Sequence, residues 1–316
     1  MSEFVPFRLE PYFRTRIWGF HDLSPWYDYK TDGEPIGEVW LTGEMCKAAT
    51  GPLAGQSLTE ITNKLGHGLL GKAYGTGEFP LLIKLLFPKE KLSVQVHPDD
   101  ALAQKYGEPR GKTECWYALD AHPGAHVALG VKPGVTAEQV REGIEDGTLE
   151  DLLEMVSVNK GDLLFVDAGT VHAMGPGVVI LETQQTSDRT YRMFDYGRPR
   201  ELHIEKSMEA MRLKTGAGKI PPHAENGHTV LIDAKYFKIE RWDVQAGDAG
   251  KLASNTGDPT VQMLFVLDGS IRVAADNAEP FTVGRCELAV IPAAATGVHV
   301  EAEQAAAVVR IIPNEV

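Results

Sequence analysis

The chain has 316 residues, 43% apolar and 24% charged, as expected of a soluble globular protein with more than one core. Its formal charge of −13 argues against non-specific attraction to nucleic acid or anionic membrane, so an anionic ligand needs a local cluster of Lys and Arg. No stretch approaches the roughly 20 apolar residues of a membrane span, and three scattered cysteines (Cys46, Cys115, Cys286) fit a reducing compartment with no disulfide frame or cysteine zinc site.

The opening MSEFVPFRLEPYFRTRIW holds no apolar core of signal-peptide length, and a cytoplasmic location is expected. Aromatics and turn formers dominate the first 50 residues or so, with a strand-like patch at Glu38–Thr42. Leu58–Leu65 has the form of a short helix, and Phe79–Leu86 reads as a buried strand interrupted by Lys84. That lysine either snorkels at a strand end or serves a site.

Next comes Lys91-Leu-Ser-Val-Gln-Val-His-Pro-Asp-Asp100, where Leu92, Val94 and Val96 alternate with Ser93, Gln95 and His97. Strict period two predicts a half-buried strand whose polar, uncharged face suits a pocket lining. Pro98 ends it, and Asp99 or Asp100 can cap a helix from Ala101. Taken alone, His97 could equally be a satisfied core histidine.

Gly111–Leu119 reads as a strand entered from a polar turn. Thr136 with Gln139 forms a capping box, Val140 and Ile144 share a face, and Leu149–Val156 is expected to continue as a second helix. Strands resume at 162–166, 178–182 and 189–194, followed by a helix over 205–213. The Gly/Pro-rich segment 215–227 marks a linker, beyond which short strands are expected at 229–232, 236–244, 262–267, 270–274, 281–283, 287–291 and 306–312. Many short strands between Gly and Pro turns point to sandwich or jelly-roll architecture.

Gly161, Asp167-Ala168-Gly169 and His172 resemble the second signature of the cupin superfamily, with Asp167 where proline is usual. That likeness makes His172 a metal ligand, and the superfamily's first signature is then filled by Gln95, His97 and Glu114. Period two puts Gln95 and His97 on one face, and the mixed N/O set suits Zn²⁺, with Mn²⁺ or Co²⁺ also compatible. The ordered motifs SVQVHPDD, GKTECWY, GTVHAMG and ILETQQTSDRTYRMFDYGR resemble type I mannose-6-phosphate isomerases of the short bacterial form, over residues from about 15 to 205.

The resemblance implies a mainly β fold of two cupin-type jelly-roll barrels with a helical insertion at about 136–156. Residues 1–214 would form the catalytic metal-binding domain, and 228–316 a second jelly roll lacking metal ligands. It implies one Zn²⁺ held by Gln95, His97, Glu114 and His172. Lys112, Glu182, Arg192 and Asp188 become catalytic candidates, and Ser93, Lys84 and Arg198 phosphate contacts, Arg198 standing where the family has lysine. Longer members carry His-Lys-Pro-Glu where this chain has Gly111-Lys-Thr-Glu114, so no role passes to that histidine.

The implied partner is a small sugar phosphate, with no nucleic acid or membrane and a monomer or homodimer as the assembly. Aldose–ketose isomerisation needs ring opening, abstraction of a C–H beside a carbonyl, enediolate stabilisation and return of the proton. Lys112 is the preferred proton shuttle, because like charge beside it improves a lysine as a base near neutrality. Glu182 or Asp188 would assist, and Arg192 would stabilise the enediolate oxygen. Competing classes are isomerisation of another sugar, an iron-dependent cupin oxygenase and a non-catalytic sugar-binding regulator. The other histidines (His21, His67, His122, His126, His203, His223, His228, His299) are expected at the surface or in packing.

Overall fold

Val94 and Val96 are completely buried, and they face away from the residues that alternate with them. The computed structural model describes residues 3–72, 74, 77–247, 252 and 259–314. Strand Val94–Val96 lies in a five-stranded sheet ordered Tyr191–Phe194, Val94–Val96, His172–Met174, His126–Val131, Leu153–Ser157. On its outer face Val94, Val96, Ala173, Tyr191 and Met193 pack against Val140 and Ile144 of helix Ala137–Asp146 and Ala210 of helix Ile204–Ala210. The inner face looks onto a seven-stranded sheet ordered Gly218–Ile220, Leu163–Val166, Glu114–Ala121, Val178–Gln185, Leu81–Leu86, Ile36–Trp40, Tyr12–Phe20. Trp18, Leu86, Trp116, Val127, Leu129, Leu164, Met174 and Ile180 fill the space between the two sheets, which makes a sandwich-like barrel. Leu92 packs with this inner cluster and not with Val94, because the strand begins only at Val94.

The capping box at Thr136 forms as the sequence predicts: Gln139 N donates to the Thr136 hydroxyl at 3.2 Å and Thr136 N to Gln139 Oε1 at 2.9 Å. The second helix over 149–156 does not form. Leu149–Leu152 is a single 3₁₀ turn and Leu153–Ser157 a strand, which pairs with His126–Val131 at the sheet edge. Helical propensity over those residues is overridden by backbone pairing to an otherwise open edge.

Two compact units make up the chain, and neither is continuous in sequence. The first comprises Arg14–Val39 and Lys84–Ile220, and the second Met1–Phe13, Trp40–Ile83 and Pro221–Val316. The segment expected to be a linker contains strands Gly218–Ile220, paired to Leu163–Phe165, and His223–Glu225, paired to His228–Val230. Within the second unit Phe7–Leu9 pairs antiparallel with Leu288–Val290, a long-range pairing that no local pattern encodes.

The second unit holds its own seven-stranded sheet, ordered Phe7–Leu9, Leu288–Ile291, Gln262–Asp268, Ala306–Pro313, Phe237–Val244, His228–Asp233, His223–Glu225, and a three-stranded sheet of Phe281–Gly284, Ser270–Ala274 and His299–Ala302. Leu264, Val266, Ile271, Val283, Ile291, Val300 and Val308 form its core. Its central strand Gln262–Asp268 lies between Leu288–Ile291 and Ala306–Pro313, just as Glu114–Ala121 lies between Leu163–Val166 and Val178–Gln185. Pairing of Gln262 with Ile291 parallels that of Glu114 with Val166, so an amide stands where the first barrel has a carboxylate. Buried Glu240 and Arg310, directly paired, occupy strands that correspond to those of Lys84 and Glu182, with the charges reversed. Among the described residues no helix is long and apolar enough to cross a membrane.

Candidate active site and metal centre

His172 and Arg192 each pair directly with Gln95, one on either side, so three neighbouring strands present Arg192, Gln95 and His172 as one row on the inner face of the barrel. His97, two residues on from Gln95, stays on the same face beyond the strand end, held by Pro98. From the opposite sheet comes Glu114, two residues before Trp116 on the same strand, and Trp116 pairs directly with Glu182. His172 reaches its place through a tight turn at Gly169 (φ +88°), where a Cβ would also lie 3.1 Å from the Ala210 carbonyl oxygen. Gly111 is constrained by space: a Cβ there would lie 2.5 Å from the Asp99 carbonyl carbon. This close approach lets Lys112 N donate to the Pro98 carbonyl at 3.0 Å, which seats Lys112 beside His97.

His97, Glu114 and His172, each at most 1% exposed, offer ligand atoms that all lie within 4.8 Å of one another. His97 Nε2 is 3.5 Å from Glu114 Oε2, and His172 Nε2 is 3.6 Å from Glu114 Oε1. The Gln95 amide lies 3.2 Å from His172 Nε2, and a half-turn about its last bond presents its oxygen at the same place. His97 Nδ1–H donates to the Arg189 carbonyl at 3.1 Å and His172 Nδ1–H to the Thr170 carbonyl at 2.9 Å. Both Nε2 lone pairs therefore point inward, as metal-ligating imidazoles require.

Burial holds both rings neutral. His97 lies well below the ordinary histidine value because of burial, then Lys112, and His172 is lowered to about 4 by burial despite its bond to Thr170. A cation already sits among these donors: Lys112 Nζ donates to His97 Nε2 at 2.9 Å and to Glu114 Oε2 at 2.6 Å. Two neutral imidazoles, a carboxylate and an amide oxygen form a donor set that fits Zn²⁺.

A cavity of about 390 Å³ opens beside this group, lined among others by Ser93, Gln95, Lys112, Glu182, Asp188 and Arg192. Lys84 Nζ forms a buried ion pair with Glu182 Oε2 at 2.8 Å. Burial and then Glu114 raise the Glu182 carboxyl above its ordinary value, while Lys84 and Lys112 pull it back. Although burial opposes its charge, the carboxylates of Glu182, Glu38 and Asp188 hold the Lys84 ammonium above the usual lysine range. Arg192 donates through Nη1 to the Glu201 carbonyl at 2.8 Å, and its Nε is buried with no hydrogen-bond partner. Burial, with Arg200 beside it, lowers the Arg192 guanidinium below the ordinary arginine value. Asp188, half exposed at the cavity, faces Arg14 at 3.3 Å.

Of the residues singled out in the sequence, Lys84, Ser93, Gln95, Lys112, Glu182, Asp188 and Arg192 line the cavity, and His97, Glu114 and His172 lie buried against Lys112 and Gln95. Arg198 is the exception: it is turned onto buried Asp195 at 2.8 Å, and Arg200, also paired to Asp195, lines the cavity instead. Sequence reasoning also passed over Arg16 and Glu38, joined by bonds of 2.8 and 3.0 Å on the cavity wall. No local period connects two residues on separate strands, so that pair carried no signal. His203, expected at the surface or in packing, lines the cavity and accepts a hydrogen bond from Arg192 N at 3.1 Å. Trp116 could have been found, since period two places it on the face of Glu114.

Fold and site together define a cupin-type barrel with an internal metal-binding constellation. Residues 6–141 match the family model of the phosphomannose isomerase type I catalytic domain, and the mannose-6-phosphate isomerase ManA of Bacillus subtilis is 34% identical over 295 residues, 88% of this chain and 91% of that protein. The chain belongs to the type I mannose-6-phosphate isomerase family. The mannose-6-phosphate isomerase of Streptococcus mutans is likewise 34% identical over 300 residues, 91% of this chain and 92% of that one. The crystal structure of the mannose 6-phosphate isomerase from Bacillus subtilis matches the fold with a TM-score of 0.85 at 29% identity, covering 97% of this chain and 99% of that one.

Proposed function

We propose that the protein is a zinc-dependent aldose–ketose isomerase that interconverts mannose 6-phosphate and fructose 6-phosphate. The observation that carries this reading is the His97–Glu114–His172 donor group in contact with Lys112, which lines one cavity together with Glu182 and Arg192. Gln95, His97, Glu114 and His172 hold one Zn²⁺, which when bound supplies Lewis acidity towards the oxygens of the open-chain sugar.

The remaining chemistry belongs to the chain's own groups. Lys112 and Glu182 lie at the cavity wall, where one accepts the C2 proton of the aldose and returns it to C1. Lys112 is the preferred shuttle, with Glu182 or Asp188 assisting. The Arg192 guanidinium, with its buried and unpartnered Nε, donates to the oxygen that gains charge in the enediolate. Ser93 and Lys84 anchor the phosphate together with Arg200, which lines the cavity, while Arg198, turned onto Asp195, does not reach it. Binding the remote phosphate fixes the reactive end of the substrate. The catalytic domain is the unit Arg14–Val39 with Lys84–Ile220, which contains all these residues. Cys46, Cys115 and Cys286 are buried free thiols, in keeping with a cytoplasmic enzyme.

A coupled assay on mannose 6-phosphate, run on chelator-treated protein with and without added Zn²⁺, tests the proposal. The expected result is turnover restored by metal and abolished by chelator. Absence of turnover in the metal-loaded protein overturns it, and faster turnover of a different or unphosphorylated sugar reassigns the substrate.

A further inference from the structure

Trp116 is 1% exposed and touches three members of the site. Its indole N–H lies 3.1 Å from Glu114 Oε1 and 3.1 Å from Glu182 Oε1, so one donor serves two carboxylates from neighbouring strands. The edge of the ring meets His172 with centroids 5.4 Å apart and planes at 70°. The strand arrangement explains why one residue can do this: Trp116 is the direct cross-strand partner of Glu182 and lies two residues from Glu114 on the same face. Phenylalanine would fill most of the same space but could join neither carboxylate. An indole is a pure donor, so it presents no competing lone pair to either group.

We propose that Trp116 is a positioning residue of the isomerisation: its single N–H fixes the metal-binding carboxylate of Glu114 and the carboxylate of Glu182 in one frame, coupling metal geometry to proton transfer. The inference rests on the reading of His97, Glu114 and His172 as metal ligands. The bond to Glu114 is an outer-sphere contact of the kind that sets ligand orientation and affinity. The bond to Glu182 holds the second carboxylate towards the cavity while Lys84 restrains its other oxygen. Neither contact touches substrate, so the residue acts through the two carboxylates.

The test compares wild type, Trp116→Phe and a variant carrying benzothienylalanine at 116, which keeps the indole shape and lacks the N–H. Zinc affinity of the metal-free proteins is measured by chelator competition, and kcat and KM by the coupled assay. Loss of an outer-sphere bond predicts zinc affinity lower by about 10- to 100-fold in both variants. Loss of a hydrogen bond to a charged acceptor predicts kcat lower by about tenfold or more, with KM within about twofold. If the benzothienyl variant binds zinc and turns over like wild type, the N–H has no positioning role and the proposal is overturned, even if Trp116→Phe is impaired or unfolded. If wild type binds zinc no more tightly than a His97→Ala/His172→Ala variant does, the metal reading itself fails, and the Trp116 assignment falls with it.

Discussion

Lys84 and Glu182 form an ion pair of 2.8 Å in which neither side chain is more than 6% exposed. Lys84 therefore enters the site already committed to a carboxylate, and its effect on a bound phosphate is exerted together with Glu182. Removing one partner of a buried pair leaves the other uncompensated, which typically costs about 3–5 kcal/mol. Lys84→Met is expected to destabilise the protein by that order, and Lys84→Met/Glu182→Gln to recover part of it. Urea unfolding of the two variants checks this, and an equal loss in both would show that the pair is not the source.

The pH dependence of that penalty follows from Glu182. Its carboxyl is raised above the ordinary 4.5 by burial and then by Glu114, and Lys84 is among the groups that lower it. An acid raised on folding binds its proton more tightly in the native state, so stability falls as pH rises from 4.5 through the folded value. Without Lys84 that window extends upward. The destabilisation by Lys84→Met is expected to be smaller at about pH 5 than at about pH 8, and the acidic limb of kcat/KM to move up. A penalty independent of pH would refute the assignment.

Lys112→Met tests the proton shuttle. Lys112 Nζ contacts both His97 and Glu114, so the methionine variant removes a base and also a cation that competes for the ligands. Turnover is expected to fall by about 10²- to 10⁴-fold, with zinc affinity at least equal to wild type. Near-normal kcat with normal metal content would transfer the role to Glu182.

Gly111→Ala probes the close packing that seats Lys112. A Cβ would lie 2.5 Å from the Asp99 carbonyl carbon and 2.6 Å from the Pro98 carbonyl oxygen, and backbone on both sides must give way. The expected cost is about 1–3 kcal/mol, with activity lost beyond the effect on stability. Gly33→Ala, whose Cβ meets nothing closer than Thr31 at 3.4 Å, is the near-neutral control in thermal melts and assays.

Arg200 and Arg198 share Asp195, but only Arg200 lines the cavity. Arg200→Ala is expected to raise KM for the phosphorylated sugar by about tenfold or more with a smaller change in kcat, and Arg198→Ala to have the lesser effect. Steady-state kinetics on both variants decides between them, and the reverse ranking would restore Arg198 as the phosphate contact.

What the sequence determined by itself was whatever depends on spacing along the chain. The face shared by Gln95 and His97, the capping box at Thr136, the run of short strands and the ordered motifs that carry family likeness are all local or collinear. Tertiary structure alone decided which strands become neighbours. It placed Arg192 and His172 on either side of Gln95. It brought Arg16 to Glu38, turned Arg198 to Asp195, and drew 153–157 out of a helical pattern into an open sheet edge. It also grouped Phe7–Leu9 with Leu288–Val290. The physical reason is that period two fixes which way a side chain points, whereas cross-strand partnership depends on register between segments far apart in sequence. Charge pairing follows register: Lys84 is an isolated lysine in an apolar run until Glu182 is placed beside it.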